Sequence, residues 1–288
     1  MAVPYKAPVK DIVFGYEVID SYNVLNKISA FSDFSEDIVI PTMEECAKFS
    51  EEVLAPINAI GDQQGATIKD GVVTMPEEFV DAYQKFAEAG WASISLPSDI
   101  GGGGMPITLS GGTLEILSTA NLAFGLAPGL SAGAISAINF HGSQEQKDKF
   151  LPKLVSGEWT GTMNLSEPQS GSDLGTITTK AEPQEDGSYK ITGTKVWITF
   201  GEHNMTENII HLVLAKVPGS PEGTKGISMF IVPKYTVNDD GSVGDSNNVS
   251  CISIEEKLGI HASPTCVMEY DGSVGYLVGE ENRGLNYM

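Results

Sequence analysis

A chain of 288 residues, 41% hydrophobic and 19% charged, has room for about two domains and the composition of an ordinary globular protein. Its 17 basic residues stand against 38 acidic ones, a net charge of −21, which repels phosphate backbones and anionic lipid and disfavours nucleic acid and membranes as partners. The three cysteines, Cys46, Cys251 and Cys266, are far apart and make no CxxC or Cys/His spacing, so a reduced, cytoplasmic setting is expected, with no disulfides and no metal.

Along the chain, "MAVPYKAPVKD" carries neither an apolar nor an Arg-rich targeting pattern. Ser35 is placed to cap a helix from about Glu36 to Leu54, ended by Pro56. Pro76 opens a second helix that stops at Gly90. Residues 96–106, "LPSDIGGGGMP", read as a loop, either a pocket rim or simply flexible. Helices resume at Thr108–Ala120 and in the run Ile116–Gln144, which carries no charge if His141 is neutral. Pro128, the asparagines and the small residues of that run favour close packing in an interior over a membrane span. Gln144–Leu154 is helical, with Pro152 placed to bend it.

Near Gly157 the pattern changes to short β-rich runs, "YKITGTKVWITF", "IIHLVLAKV" and "GISMFIVPKY", separated by turn residues. Residues 236–250 read as a polar, mobile excursion. After Gly284 a new helix begins and stops within about a turn, too short to be stable alone, so the chain reads as cut short.

Two stretches point toward chemistry. In "GTKVWITFG" (193–201), strict alternation sends Val196, Ile198 and Phe200 to a core face and Lys195, Trp197 and Thr199 to the other. A Trp there is either plain core or a stacking platform for a flat heteroaromatic ring, with Thr199 beside it as a hydrogen-bonding group. In "MNLSEPQSGSD" (163–173), Gly171 and Ser172 have backbone N–H groups suited to a phosphate and Ser166 a hydroxyl suited to a ring edge; the simpler alternative is a turn between a helix and a strand. His141, His203, His211 and His261 are scattered and read as structural or surface residues. GxGxxG after a strand, GxxxxGK[ST] and HExxH are absent from the sequence.

Four blocks in order, "QKDKFLPKLVSGEWTGTMNLSEPQSGSD", "ITGTKVWIT", "KLGIHASPTCVMEYDG" and "LVGEENRGL", resemble the acyl-CoA dehydrogenase family over nearly the whole chain. "GEHNMTENIIHLVLAKVPG" and "IHASPTCVMEYDG" resemble a large-chain subgroup that includes 3-methylmercaptopropionyl-CoA dehydrogenase. The resemblance implies an α+β chain: an N-terminal helical domain (1–157), a middle β-barrel-like or sandwich domain (158–279) and the start of a C-terminal helical bundle (280–288). It implies FAD as cofactor, held by Met163, Asn164, Leu165, Ser166, Gly171 and Ser172 and by Trp197, Ile198 and Thr199, with Ser172 also touching acyl-CoA. The uncharged helices and the 96–106 loop would help to wall the acyl pocket. Ser166 stands where Thr is usual, and Phe200 where Asn is common. The implied reaction is α,β-dehydrogenation of an acyl-CoA thioester, with 3-methylthiopropanoyl-CoA as one candidate. Electrons would pass to an electron-transfer flavoprotein, and the full-length protein would be a homo-oligomer. In the family the glutamate base lies in the C-terminal bundle, so no catalytic residue is assigned, and the 288-residue chain alone is expected to be inactive. The alternatives are a non-catalytic flavin- or acyl-CoA-binding fragment and a relative of the acyl-CoA oxidases using O2.

Overall fold

The computed structural model describes residues 4–288; the first three positions of the N-terminal stretch lie outside them. The helical part contains α1 (Val9–Val18), α2 (Ser21–Leu25), α3 (Glu36–Phe49), α4 (Ala55–Gln64), α5 (Glu77–Glu88), α6 (Ile107–Ala120), α7 (Leu122–His141) and α8 (Gln144–Ser156). Several bury one stripe. In α5, Phe79, Ala82, Tyr83 and Phe86 repeat at helical spacing and are all buried, with Phe86 and Tyr83 packed on Phe124 of α7.

The expected stop at Pro56 is not there. Ser50–Leu54 forms a π turn that joins α3 to α4 without a break, and Pro56 sits in the first turn beyond it, where the widened turn takes the proline into the continuing helix. Ser35 occupies the N-cap position of α3 but makes no side-chain cap. A full capping box starts α8, where Ser143 and Gln146 satisfy each other's backbone N–H. That helix runs through Pro152 to the left-handed Gly157.

The helical part also contains a hairpin, β1 (Thr67–Lys69) and β2 (Val72–Thr74). Asp70 and Gly71 form its turn, both at positive φ (50° and 80°), as Asp-Gly favours in a two-residue hairpin. Val73 packs into the same cluster as Val249 and Cys251 of the β part.

From Trp159 the chain forms β3 (Trp159–Asn164), β4 (Lys180–Pro183), β5 (Tyr189–Thr199), β6 (Asn208–Lys216), β7 (Ile227–Pro233), β8 (Tyr235–Val237), β9 (Val243–Ser246), β10 (Val249–Ile254) and β11 (Thr265–Leu277), followed by α9 (Gly284–Tyr287). In the main sheet β7 pairs with both β6 and β11, so β11, β5, β4, β6 and β7 close into a barrel-like ring, with β3 beside β6 and β10 beside β11. Residues 236–250 are an ordered excursion: β9 folds back on β8, and β10 begins at Val249.

Strands β6 and β7 are buried on both faces, which is why their sequences lack alternation. Ile210, Leu212 and Leu214 meet Ala134, Ile138, Phe150 and Leu154 of the helical layer. Val213, Ala215, Phe230 and Val232 fill the barrel interior. Helix α7 is long and apolar enough by length and composition to cross a membrane, and half of that apolar window is buried against the rest of the fold.

Helix α7 approaches the sheet closely at Gly161, whose N–H donates to Ser131 Oγ at 3.0 Å and where an added Cβ would lie 2.4 Å from the Ala134 Cβ. Gly161→Ala is expected to force helix and strand apart and destabilise the fold by about 1–3 kcal/mol, read by urea denaturation. Unchanged stability would show that this contact relaxes freely.

Candidate functional site

Strand β5 changes phase once along its length. Before the change the odd residues Ile191 and Lys195 are buried; beyond it the even residue Ile198 is, joining Ile191 in the barrel cluster, and Phe200, just past the strand, is buried in the cluster of the helical part. The cause is a β-bulge: Met268 faces Lys195 and Cys266 faces Ile198, so β5 has one residue more than β11 between the same two pairs. Trp197 occupies the bulge at φ 61° and stands 58% exposed. A bulky residue with positive φ is strained by about 1–3 kcal/mol, and such residues concentrate at functional sites.

This corrects the alternating reading of "KVWIT". Val196, Ile198 and Phe200 are core, but Lys195 does not share the outer face with Trp197; it is fully buried. Its ammonium donates to Glu167 Oε1 at 2.9 Å and to the Leu165 carbonyl at 2.9 Å. The Glu167 carboxylate accepts six hydrogen bonds. Oε1 takes Lys195, the Thr179 hydroxyl (2.5 Å) and the Thr179 N–H (3.1 Å). Oε2 takes the Thr178 N–H (2.7 Å), the Thr178 hydroxyl (2.9 Å) and the Gln169 amide (2.8 Å). Burial alone raises the Glu167 pKa, but the Lys195 charge and then the Thr179 and Thr178 donors hold it down at about 2. Burial brings Lys195 down to about 8 against the opposing pull of Glu167. At neutral pH both are charged.

Loop 163–173 is thereby laid along the bulge. The Val196 N–H donates to the Ser166 carbonyl at 2.9 Å, and Glu167 and Ser170 exchange backbone hydrogen bonds in a tight turn. Beyond it Gly171 and Ser172 are exposed, and among the described residues neither N–H donates a hydrogen bond within the chain. A Cβ added to Gly171 would meet only Trp197 Cζ3, at 3.7 Å. Among the described residues no contact requires a glycine there.

The expected site residues divide by direction. Trp197, Gly171 and Ser172 are exposed, while Leu165, Ser166 and Thr199 are half-buried. Met163 is also half-buried and turns toward α7 beside Gly133, 3.9 Å from where a Cβ there would be. Ile198 points into the barrel core and offers only its backbone. Asn164 is wholly buried, donates to Thr162 Oγ1 at 2.8 Å and accepts the Tyr270 hydroxyl at 2.9 Å, so its side chain serves the barrel interior. Helix α7 leaves an uncharged outer stripe, Leu122, Gly129, Ser136 and Phe140, at heptad-like spacing. The 96–106 loop is an ordered turn: Gly102 to Met105 donate backbone hydrogen bonds to Pro97, Ser93, Leu96 and Ile94 in turn.

Sequence reasoning missed the Glu167–Lys195 pair, although both residues lie inside the two stretches it singled out. A lysine in a strand whose neighbours are all core needs a carboxylate partner, and that was the available signal. It also missed the polar file Thr160, Thr162 and Asn164 inside the barrel. There Thr162 Oγ1 lies 2.7 Å from His211 Nδ1, and Thr160 Oγ1 3.0 Å from His203 Nε2. Burial and then the Lys234 charge push both imidazoles down to about 3, so both are neutral and structural.

The chain matches two family models, "Acyl-CoA dehydrogenase, N-terminal domain" at residues 41–158 and "Acyl-CoA dehydrogenase, middle domain" at residues 162–273. It is 47% identical to the 3-methylmercaptopropionyl-CoA dehydrogenase of Ruegeria pomeroyi over 99% of this chain and 48% of that protein. Among solved structures, an acyl-CoA dehydrogenase complexed with FAD from Bacillus anthracis superposes with a TM-score of 0.71 at 26% identity, covering 89% of this chain and 39% of that one. A chain described under the electron transferring flavoprotein of Acidaminococcus fermentans gives 0.71 at 25% identity, covering 88% and 60%. The chain spans about half the length of the curated relatives it matches.

Because the folded Glu167 pKa lies below its ordinary 4.5, its share of stability is complete above about pH 4.5 and is lost as pH falls toward 2. Glu167→Gln strands a buried ammonium and should cost about 3 kcal/mol at pH 7. The stability gap to wild type should narrow between pH 4.5 and 2 in urea denaturation. A gap independent of pH would contradict a charged pair.

Proposed function

The chain belongs to the acyl-CoA dehydrogenase family, carrying its N-terminal and middle domains, and we propose that it forms the flavin-holding half of an enzyme that removes hydrogen from the α and β carbons of an acyl-CoA thioester. The observation that carries this reading is the strained, outward Trp197 beside a Gly171 that the chain's own packing does not require. A flat face and a bare backbone, side by side, suit a ring joined to a phosphate.

The residues present fit FAD. The exposed Trp197 indole is a stacking surface, Thr199 and Ser166 offer hydroxyls at its margin, and the free N–H groups of Gly171 and Ser172 suit a pyrophosphate. FAD, when bound, supplies the two-electron acceptor that no side chain provides. Ser172, at the open end of the loop, is placed for the acyl-CoA as well. The uncharged stripe of α7 runs past Met163 and would give the acyl chain an apolar wall.

The base is not among the residues assembled here. Glu167 is saturated by six donors and holds its proton only near pH 2, so it cannot take one from a substrate carbon at neutral pH. Glu281 accepts from the Tyr189 hydroxyl, and Glu280 neighbours it, against the opposite end of β5 from Trp197. We assign the glutamate base to the part of the relatives' length that this chain does not span. The likeness to the Ruegeria protein favours a short thioether acyl group, 3-methylthiopropanoyl-CoA, as substrate. We propose an electron-transferring flavoprotein as the electron acceptor, the partner that membership of this family implies. Three buried free cysteines suit a reduced cytoplasm.

Titration of the chain with FAD should quench the Trp197 emission and shift the flavin absorption. Trp197→Ala should weaken binding by roughly three- to tenfold, the equivalent of one stacking contact. An unperturbed flavin spectrum at saturating FAD would contradict the reading.

A further inference from the structure

Two segments about thirty residues apart in sequence must lie in register for the wall to exist. Three interactions join them: the Val196 N–H to the Ser166 carbonyl at 2.9 Å, and the Lys195 ammonium to the Leu165 carbonyl and to Glu167, each at 2.9 Å. Resting on the flavin reading above, we propose that the buried Glu167–Lys195 pair is the positioning device of the flavin wall, a clamp that fixes the 163–173 loop against the β5 bulge without itself touching the ligand.

Three observations carry the assignment. The pair lies beneath the wall: Lys195 is 0% and Glu167 2% exposed, while Trp197, Gly171 and Ser172 on the outside are open. Glu167 also ties down both ends of its excursion. Its carboxylate holds Thr178 and Thr179 where the chain re-enters the sheet, and its backbone closes the turn with Ser170 one residue before Gly171. The clearance around it is minimal: at Gly193 a Cβ would lie 2.5 Å from Thr179 Oγ1 and 2.8 Å from its Cα, so the glycine of "GTKVWIT" lets β5 approach the clamp. A loop rich in Ser, Gly and Pro has little rigidity of its own. Its free N–H groups point consistently only if something else holds them, and a carboxylate with six donors does so.

A merely structural ion pair would change stability and leave affinity alone; a positioning pair changes affinity at equal stability. The double variant Glu167→Gln/Lys195→Met removes both charges together and leaves none stranded, which buried pairs often tolerate. FAD affinity by titration and amide exchange by mass spectrometry are measured on it, on wild type, and on Ile191→Val as a control that weakens the barrel core elsewhere. The clamp predicts at least tenfold weaker FAD binding and at least tenfold faster exchange across 165–172 and at Val196, with 210–214 unchanged. Ile191→Val should keep its affinity within twofold. Should the double variant fail to fold, Thr179→Val keeps both charges, removes one donor and should weaken FAD about threefold. Wild-type affinity and wild-type exchange in the double variant, or in Thr179→Val, would overturn the clamp. If wild type takes up no FAD, the flavin reading falls; faster loop exchange in the variant still supports the clamp, and unchanged exchange overturns it.

Discussion

One surplus residue in β5 governs the site. Because side chains alternate along a strand, an inserted residue inverts every position beyond it. Here the inversion falls between Lys195 and Ile198, and it does two things at once. It keeps the barrel core supplied on both sides, with Ile191 before the bulge and Ile198 after it. It also turns a tryptophan outward in a backbone conformation that a bulky residue avoids. Such strain persists only when surrounding contacts over-determine it. The contacts are the Lys195 ammonium, the Glu167 carboxylate and the hydrogen bond from Val196 to Ser166.

The rest of the molecule gives that arrangement a rigid support. Strands β6 and β7 form a wall with helices on one side and barrel interior on the other, so neither face can shift without opening a core. Helix α7 is set against β3 by the absence of a side chain at Gly161, and the next residue outward on the same face of β3 is Met163. Loop 163–173 therefore leaves a strand held from two directions. The inner face of β3 carries the opposite character, a polar file whose hydroxyls and amide are satisfied by neutral His203, neutral His211 and Tyr270.

Much of this was legible in the residues, and the failures have physical causes. Helix α5, the strands β5, β6 and β7 and the abrupt helix at Gly284 follow from spacing and turn residues alone. The Asp70–Gly71 hairpin went unread: its only signal is the turn dipeptide, and its strands of three residues each are too short for a periodic one. The join of α3 to α4 was hidden because a π turn leaves no sequence mark while Pro56 leaves a strong one. At the site, the residue types pointed to Trp197, Thr199, Gly171 and Ser172, but alternation misdirected Lys195 because a bulge cannot be seen in one strand; it is a mismatch between two. The side-chain partner of Asn164 was invisible for a related reason, since Tyr270 lies more than a hundred residues away.

The central claim is that the bulge and the loop it holds form one surface for one ligand. A crystal structure of the chain grown with FAD tests it most directly. The account predicts the ring system against Trp197 and Thr199, with the pyrophosphate receiving hydrogen bonds from the Gly171 and Ser172 N–H groups. Density for the ring elsewhere, such as in the cleft of about 390 Å³ lined by Lys149, Tyr189 and Tyr276, with Trp197 left bare, would contradict it.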